Sequence, residues 1–300
     1  MRNKITVCIP AHNNEKHIAE AIDSALMQDY PLKEILVIND ASTDKTANLV
    51  THKFIQKRFP VRLLCNEFNL GIGKNIEKLM TECKTKYILY LCADDVLTHP
   101  KVLSDVVSIF DANPSIGVIG CYKYYFMDGK EGAIGVCRDK NILTSSCCPS
   151  GMAFRRMDIV GTNKIFVEMP SIVAQYLPKY QWTMIEYDTV ACRFSPGVNT
   201  GTKPSYYKES PTQNWIDLLG ENYQDFPVFI TLKNRAPKLL WGEICLHVRN
   251  DKQVLLKWNF WFYVLISLLL PSFILRQLTN FYRNRITRTN AKIIERPENV

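Results

Sequence analysis

Nowhere in the 300 residues do two cysteines stand in a C-x-x-C arrangement, although ten cysteines are present. That spacing is what a zinc knuckle or a thioredoxin-like redox site needs, so its absence argues against both. Cys8, Cys65, Cys92 and Cys245 lie inside apolar runs instead, which predicts reduced, buried thiols rather than the disulfide framework of a small secreted domain. Only the adjacent pair Cys147-Cys148 stands apart from this pattern. None of the five histidines has a partner at zinc-ligand spacing. The N-terminus runs straight into a strand-like stretch, Ile5 to Ile9, with no charged and apolar leader, so no signal peptide is expected and the chain is expected to stay in the cytosol. Internal repeats, low-complexity tracts and basic patches interleaved with aromatics are also missing, which argues against a solenoid, a disordered tail and an RNA-binding surface.

A hydrophobic fraction of 47% is present, enough for a real core in a chain of this length. The net charge of +8 acquires meaning from its location. Arg276, Arg283, Arg285, Arg288 and Lys292 follow directly on the most apolar stretch, Trp258 to Leu275, which is uncharged and broken by Pro271. That arrangement suits a membrane surface better than a nucleic-acid groove. A buried core helix, a spanning helix and an interfacial anchor all remain open for this segment.

From residue 5 to about 120, short β-branched runs alternate with helical patterns, as in βαβ units building a mostly parallel sheet. Strands are predicted at Ile5 to Ile9, Glu34 to Ile38, Val61 to Leu64, Tyr87 to Leu91 and Ile116 to Gly120. Helical periodicity places Ile18, Ile22, Ala25 and Leu26 on one face of a first helix. A second helix is expected to start from a Ser42 cap, and a third carries Ile76, Leu79 and Met80. Beyond Gly120 the pattern becomes aromatic and mixed, with a turn at Asp128-Gly129. The expected organisation is 1–120 as a nucleotide-binding half, 121–250 as an acceptor-side half and 251–300 as the hydrophobic segment with its basic tail.

In an open α/β sheet a ligand sits beyond the carboxyl ends of the strands, so the polar residues at those ends are the candidates for function. After the first strand comes Pro10-Ala11-His12-Asn13-Asn14-Glu15, and after the second Asn39-Asp40-Ala41-Ser42-Thr43-Asp44. Capping explains Ser42, but Asp40 is suited to accept a hydrogen bond from a base or ribose. After the fourth strand, Cys92-Ala93-Asp94-Asp95 sets two carboxylates side by side. Their repulsion costs stability unless a cation or a set of donors offsets it, which points to a divalent metal. Oxygen ligands suit magnesium or manganese. Asn69-Leu70-Gly71-Ile72-Gly73-Lys74-Asn75 lacks the third glycine of a dinucleotide loop and the G-K-[ST] ending of a P-loop. Its glycines fit a turn into the third helix, with Lys74 near the helix start to meet a phosphate.

Together these stretches, in this order, resemble the large inverting family of GT-A-fold, family 2-like glycosyltransferases that use nucleotide sugars. The resemblance implies an α/β Rossmann-like sheet with a mixed acceptor-side lobe. It also implies that Pro10, His12, Asn13, Glu15 and Asp40 surround the nucleoside, that Lys74 and Asn75 lie near ribose and phosphate, and that Asp94-Asp95 is the D-x-D-like pair, with Asp95 holding Mn²⁺ or Mg²⁺. The family usually has tyrosine at position 12, aspartate at 39, arginine at 74 and often aspartate at 92, where this chain has His12, Asn39, Lys74 and Cys92. Imidazole still stacks on a base, so nucleotide binding is expected to survive. Ser150 to Arg156 resembles the segment lining the donor sugar, and Cys192-Arg193-Phe194-Ser195 resembles a later Y-R-x-S element. That register favours Glu168 over Asp188 as the base.

An inverting transfer needs one carboxylate to take the acceptor proton, assigned to Glu168, and stabilisation of the leaving diphosphate, assigned to the Asp95 metal with Lys74. The expected partners are a nucleotide sugar, probed first as a UDP-sugar, a saccharide or polyprenyl-diphosphate-linked acceptor, and the cytoplasmic face of the inner membrane in surface-polysaccharide biosynthesis. No nucleic-acid partner is expected. A nucleotidyltransferase would want a glycine-rich basic loop after the first strand, which is absent. The competing class is a non-catalytic, membrane-associated nucleotide-binding relative of the same fold.

Overall fold

The computed structural model describes residues 4–32, 34–137, 150–156, 176, 179–194, 261 and 265. The chain divides into two compact units, Met1–Lys203 with Asn290–Val300, and Pro204–Thr289. All the architecture below belongs to the first. Of the second, Trp261 and Leu265 are described, both helical and exposed.

Strands β1 (Ile5–Ala11), β2 (Glu34–Asn39), β3 (Val61–Cys65) and β4 (Tyr87–Tyr90) form a parallel ladder in the order β3-β2-β1-β4. Their residues are β-branched and apolar because both faces are covered. Val7, Ile9, Ile35, Val37 and Leu89 join the main core cluster, while the alternate residues Cys8, Leu36 and Ile38 are buried as well. Helices α1 (Ile18–Leu26) and α4 (Val102–Ala112) contribute Ile18, Ile22, Val102, Val106 and Phe110 to that cluster. Helix α3 (Gly71–Glu82) packs against β1 and β2. Helix α2 is short, Thr46–Val50, and continues as a wider π-type turn over Thr51–Ile55, where Phe54 enters the core.

Here the structure corrects the expected helix start. Ser42 does not cap α2, because its hydroxyl accepts the N–H of Asn13 in the neighbouring loop. Asp44 instead accepts both the N–H and the hydroxyl of Thr46, the first residue of the helix.

Beyond β4 the sheet continues through β8 (Ala153–Arg155), β6 (Ile116–Phe126), β9 (Gln181–Arg193) and β5 (Val96–Leu97), with β7 (Gly135–Cys137) beside β6. Strand β8 runs antiparallel to both β4 and β6, so this half is mixed, as the aromatic-rich sequence suggests. The expected strand at Ile116 to Gly120 in fact runs on to Phe126, before a turn in which Gly129 takes φ +75°. Its parallel pairing with β9 carries irregularities near Gly117, Tyr122 and Lys123. Among the described residues Cys8, Cys83, Cys121 and Cys192 are buried free thiols, Cys92 is half-buried, and Cys65 is exposed at the end of edge strand β3. The Cys147-Cys148 pair lies outside the described residues.

Candidate functional site

The chain passes from β1 out to β2 and β3 and then returns to β4 on the other side of β1, so the strand order reverses between β1 and β4. Cys8 lies beside Tyr90 and Ala11 beside Asn39. The register therefore sets the ends of β1, β2 and β4 side by side, and the loops that follow meet at one crevice. Three sequence segments more than 80 residues apart at their extremes, His12–Glu15, Asp40–Asp44 and Cys92–Asp95, are brought together there.

The first two loops are stitched together. Asn13 adopts φ 55° and Ala41 φ 52°, conformations that need local compensation in residues with a Cβ. Compensation comes from Asn13 Oδ1, which accepts the N–H of Thr43 at 2.8 Å, and from Ser42 Oγ, which accepts the N–H of Asn13 at 2.9 Å. Glu15 Oε2 accepts the N–H of Lys45, and Asp44 accepts the N–H of Glu15. His12 remains exposed, with Nδ1 2.7 Å from the carbonyl oxygen of Asp40. A carbonyl only accepts, so Nδ1 carries the proton and the ring is held at a fixed angle.

Asp40 and Asn75 are placed differently from the roles the resemblance implies. Asp40 is only 4% exposed, and its carboxylate accepts Asn66 Nδ2 at 2.8 Å, the N–H of Leu70 at 2.8 Å and the N–H of Gly71 at 3.0 Å. It thereby ties the end of β2 to the start of α3, where Gly71 takes φ +77°. Asn75 is 2% exposed, with Oδ1 accepting from Asn66 and Nδ2 donating to the carbonyl of Gly71. Both side chains brace the loop that shapes the crevice, and burial keeps the Asn75 amide from meeting a ribose or phosphate. Lys74 is exposed. Pro10 is half-buried near the end of β1.

The acid pair sits just past β4. Asp95 is 4% exposed and its Oδ1 accepts the N–H of Arg193 at 2.8 Å. The Arg193 guanidinium donates to the carbonyl of Asp94, pairs with Glu20 and Asp128, and lies 4.6 Å from the Phe126 ring centroid. Part of the repulsion expected between the two carboxylates is thus relieved by the protein's own donors. Burial pushes the Asp94 carboxyl above its ordinary value, while its own backbone N–H, His17 and Arg193 pull the other way. Burial first and Arg193 second lower the pKa of His17, which favours a neutral ring. Sequence reasoning missed His17, for which spacing gave no signal; Arg193 had been marked only as part of a motif.

Cys92, Asp94 and Asp95 offer ligand atoms that all lie within 4.8 Å of one another. Two carboxylates at that spacing in a crevice fit a divalent cation. Beside them opens a cavity of about 450 Å³ lined by Val96, Tyr124, Phe126, Lys130 and Asp188. Glu168 lies outside the described residues, whereas Asp188 borders this cavity. Among the described residues no helix is long and apolar enough to cross a membrane.

Residues 6–165, more than half of the chain, match the family model of glycosyl transferase family 2. Over 132 residues the chain is 31% identical to an uncharacterized glycosyltransferase of Haemophilus influenzae, covering 44% of this chain and 40% of that one. Over 115 residues it is 29% identical to the poly(ribitol-phosphate) beta-N-acetylglucosaminyltransferase TarS of Staphylococcus aureus, covering 37% of this chain and 20% of that one. A third relative, the poly-beta-1,6-N-acetyl-D-glucosamine synthase of Staphylococcus epidermidis, is 26% identical over 115 residues, covering 38% of this chain and 27% of that one. The matches thus span 40% or less of these curated relatives. The crystal structure of S. aureus TarS 1–349 in complex with UDP-GlcNAc superposes with a TM-score of 0.58 at 18% identity, covering 96% of this chain and 89% of that one, a likeness of fold. With the reversed strand order and the acid pair at the end of β4, the family match places this chain in glycosyl transferase family 2, on a GT-A fold.

Proposed function

We propose that this chain transfers a sugar, with inversion, from a nucleotide diphosphate to a saccharide or lipid-linked saccharide. The observation that carries the reading is the crevice itself: exposed His12 on one wall, Asp94-Asp95 on the other, and a cavity of about 450 Å³ next to the acid pair. The ring of His12, oriented by the Asp40 carbonyl, offers a flat face to a base. UDP-N-acetylglucosamine is the first donor to try, since two of the relatives carry N-acetylglucosamine in their names. Asp95 with Asp94 would hold Mn²⁺ or Mg²⁺, whose chemistry would be to neutralise the leaving diphosphate. Exposed Lys74 would add a positive charge on the same side.

The acceptor would enter through the cavity, where Tyr124 and Phe126 supply apolar faces of the kind sugar rings stack on and Lys130 supplies a cation. Its hydroxyl proton would go to a carboxylate, Glu168 by motif register, with Asp188 the second choice because it borders the cavity. Work at the cytoplasmic face of a membrane, on a polyprenyl-linked acceptor, follows from the apolar segment at 258–275 and its basic tail.

Calorimetric titration of the full chain with UDP, GDP and dTDP, each with and without Mn²⁺, tests the reading. Metal-dependent binding of one nucleotide, lost in Asp95→Asn, is the expected result. No binding of any nucleotide would sink it. Turnover of the bound donor in Glu168→Gln and Asp188→Asn then identifies the base as the one whose loss lowers kcat by at least about 10²-fold.

A further inference from the structure

The turn after β4 puts a thiol where two carboxylates converge. Asp95 donates its N–H to the carbonyl of Cys92, which folds the four residues back on themselves. The N–H of Cys92 is anchored in turn to the hydroxyl of Ser150 at 3.0 Å, on the segment leading into β8. Gly151, next in line, donates to the carbonyl of Tyr90. Position 92 is therefore fixed from both sides, and its half-buried side chain shares the crevice with Asp94 and Asp95.

Ligand atoms bound to one ion by bonds of roughly 2.0–2.3 Å cannot stand more than about 4.6 Å apart. The thiol sulfur and the carboxylate oxygens of Cys92, Asp94 and Asp95 already lie within 4.8 Å of one another, so adjustments of tenths of an ångström bring all three to a common centre. No other group of three or more histidine, cysteine, aspartate and glutamate side chains among the described residues does this. Carboxylates alone would leave Mg²⁺ and Mn²⁺ as comparable occupants. A thiolate changes the ranking, because Mg²⁺ binds sulfur poorly while affinity for such a site rises from Mn²⁺ toward Co²⁺ and Zn²⁺.

We propose that Cys92 is a direct ligand of the crevice metal ion, and that it makes the site select thiophilic divalent ions over Mg²⁺. The inference rests on the metal-dependent reading above and adds to it the sulfur ligand and the ion class. Binding forms a metal–sulfur bond and releases the thiol proton to solvent, with no change of oxidation state. Remaining coordination positions stay available to water or a diphosphate.

The experiment is a Co²⁺ titration of the full chain, with and without UDP, followed by near-ultraviolet absorption, with competition by Mg²⁺, Mn²⁺ and Zn²⁺. A thiolate-to-cobalt charge-transfer band is expected in the wild type, displaced by Zn²⁺ far more readily than by Mg²⁺. Cys92→Ser should abolish the band, weaken Co²⁺ binding on the order of ten- to a hundred-fold and narrow the gap between Zn²⁺ and Mg²⁺. Cys92→Asp, which retains a charged ligand, should still bind Co²⁺ without the band. Co²⁺ binding that shows no band, or a band that persists in Cys92→Ser through another cysteine, would overturn the inference and leave the metal-dependent reading standing. Failure of any divalent ion to bind with UDP present, or binding indifferent to Asp95→Asn, would overturn both.

Discussion

The two halves of the sheet hold their functional residues in opposite ways. On the nucleotide side, β1 to β4 pair in parallel without irregularity, and the loops at their ends are bound to one another by side chain-to-backbone hydrogen bonds from Asn13, Asp40, Ser42 and Asp44. On the other side, β6 and β9 shift register, and Tyr124, Phe126, Lys130 and Asp188 border an open cavity. Such a contrast is what a two-substrate site needs. One substrate meets a wall whose geometry is set before it arrives, and the other meets a surface whose residues differ from relative to relative without disturbing the first.

Breaking the bridge between the halves should have the largest effect. Asp95 touches both, since it ends the β4 turn and accepts the N–H of Arg193 from β9. Asp95→Asn keeps an acceptor for that N–H but removes the charge. A drop in kcat of about 10²–10³-fold, with an unchanged circular dichroism spectrum, is expected in a donor-turnover assay.

Next comes the seam itself. Gly151 adopts φ +84°, and an added Cβ would stand 2.5 Å from Val190 Cγ2 and 2.7 Å from Cys121 Sγ. Gly151→Ala combines backbone strain with a clash in the core, and should destabilise the fold by about 2–4 kcal/mol in urea unfolding. Stability within 0.5 kcal/mol of wild type would mean that the seam is looser than this packing implies.

Within the preset wall, Asp40→Ala strands the buried N–H groups of Leu70 and Gly71. It should cost about 2–3 kcal/mol and weaken nucleotide binding through the loop it releases. Asp40→Asn retains one acceptor and should fall between. If Asp40→Ala weakened nucleotide binding without loss of stability, a direct role toward the base or ribose would return.

The smallest effect lies farthest from the crevice. Burial alone would raise the Asp111 pKa, but hydrogen bonds from Lys4 and the Tyr87 hydroxyl outweigh it and hold the carboxyl below its ordinary value. A lowered folded pKa contributes stability above the unfolded value of about 3.9 and loses it as pH falls through the folded value. Asp111→Asn should therefore lower Tm by about a degree at pH 6 and leave it unchanged at strongly acid pH, with turnover unaffected.

The same contrast explains what was legible beforehand. The parallel strands announced themselves because strands covered on both faces read as short apolar runs, and all five expected strands are present. The acid pair after β4 was legible for a chemical reason, two like charges in one turn. Asp40 and Asn75 were marked from the same strand-end logic, which finds residues near a crevice but says nothing about which way their side chains turn. The Ser42 cap failed similarly, because a hydroxyl that suits its own helix was claimed by a loop 29 residues earlier in the chain.

By itself, then, the sequence determined the alternation of strand and helix, the positions of the polar turns and the chemical types gathered in them. These follow from periodicity and composition, which are local. Only the tertiary structure decided that Arg193 lies under Asp94 and Asp95, that His17 shares their surroundings, that Asp40 faces inward and that Cys92 stands within a metal's reach of two carboxylates. Those facts depend on strand order and register, which join residues up to 100 positions apart through hydrogen bonds that no spacing along the chain encodes.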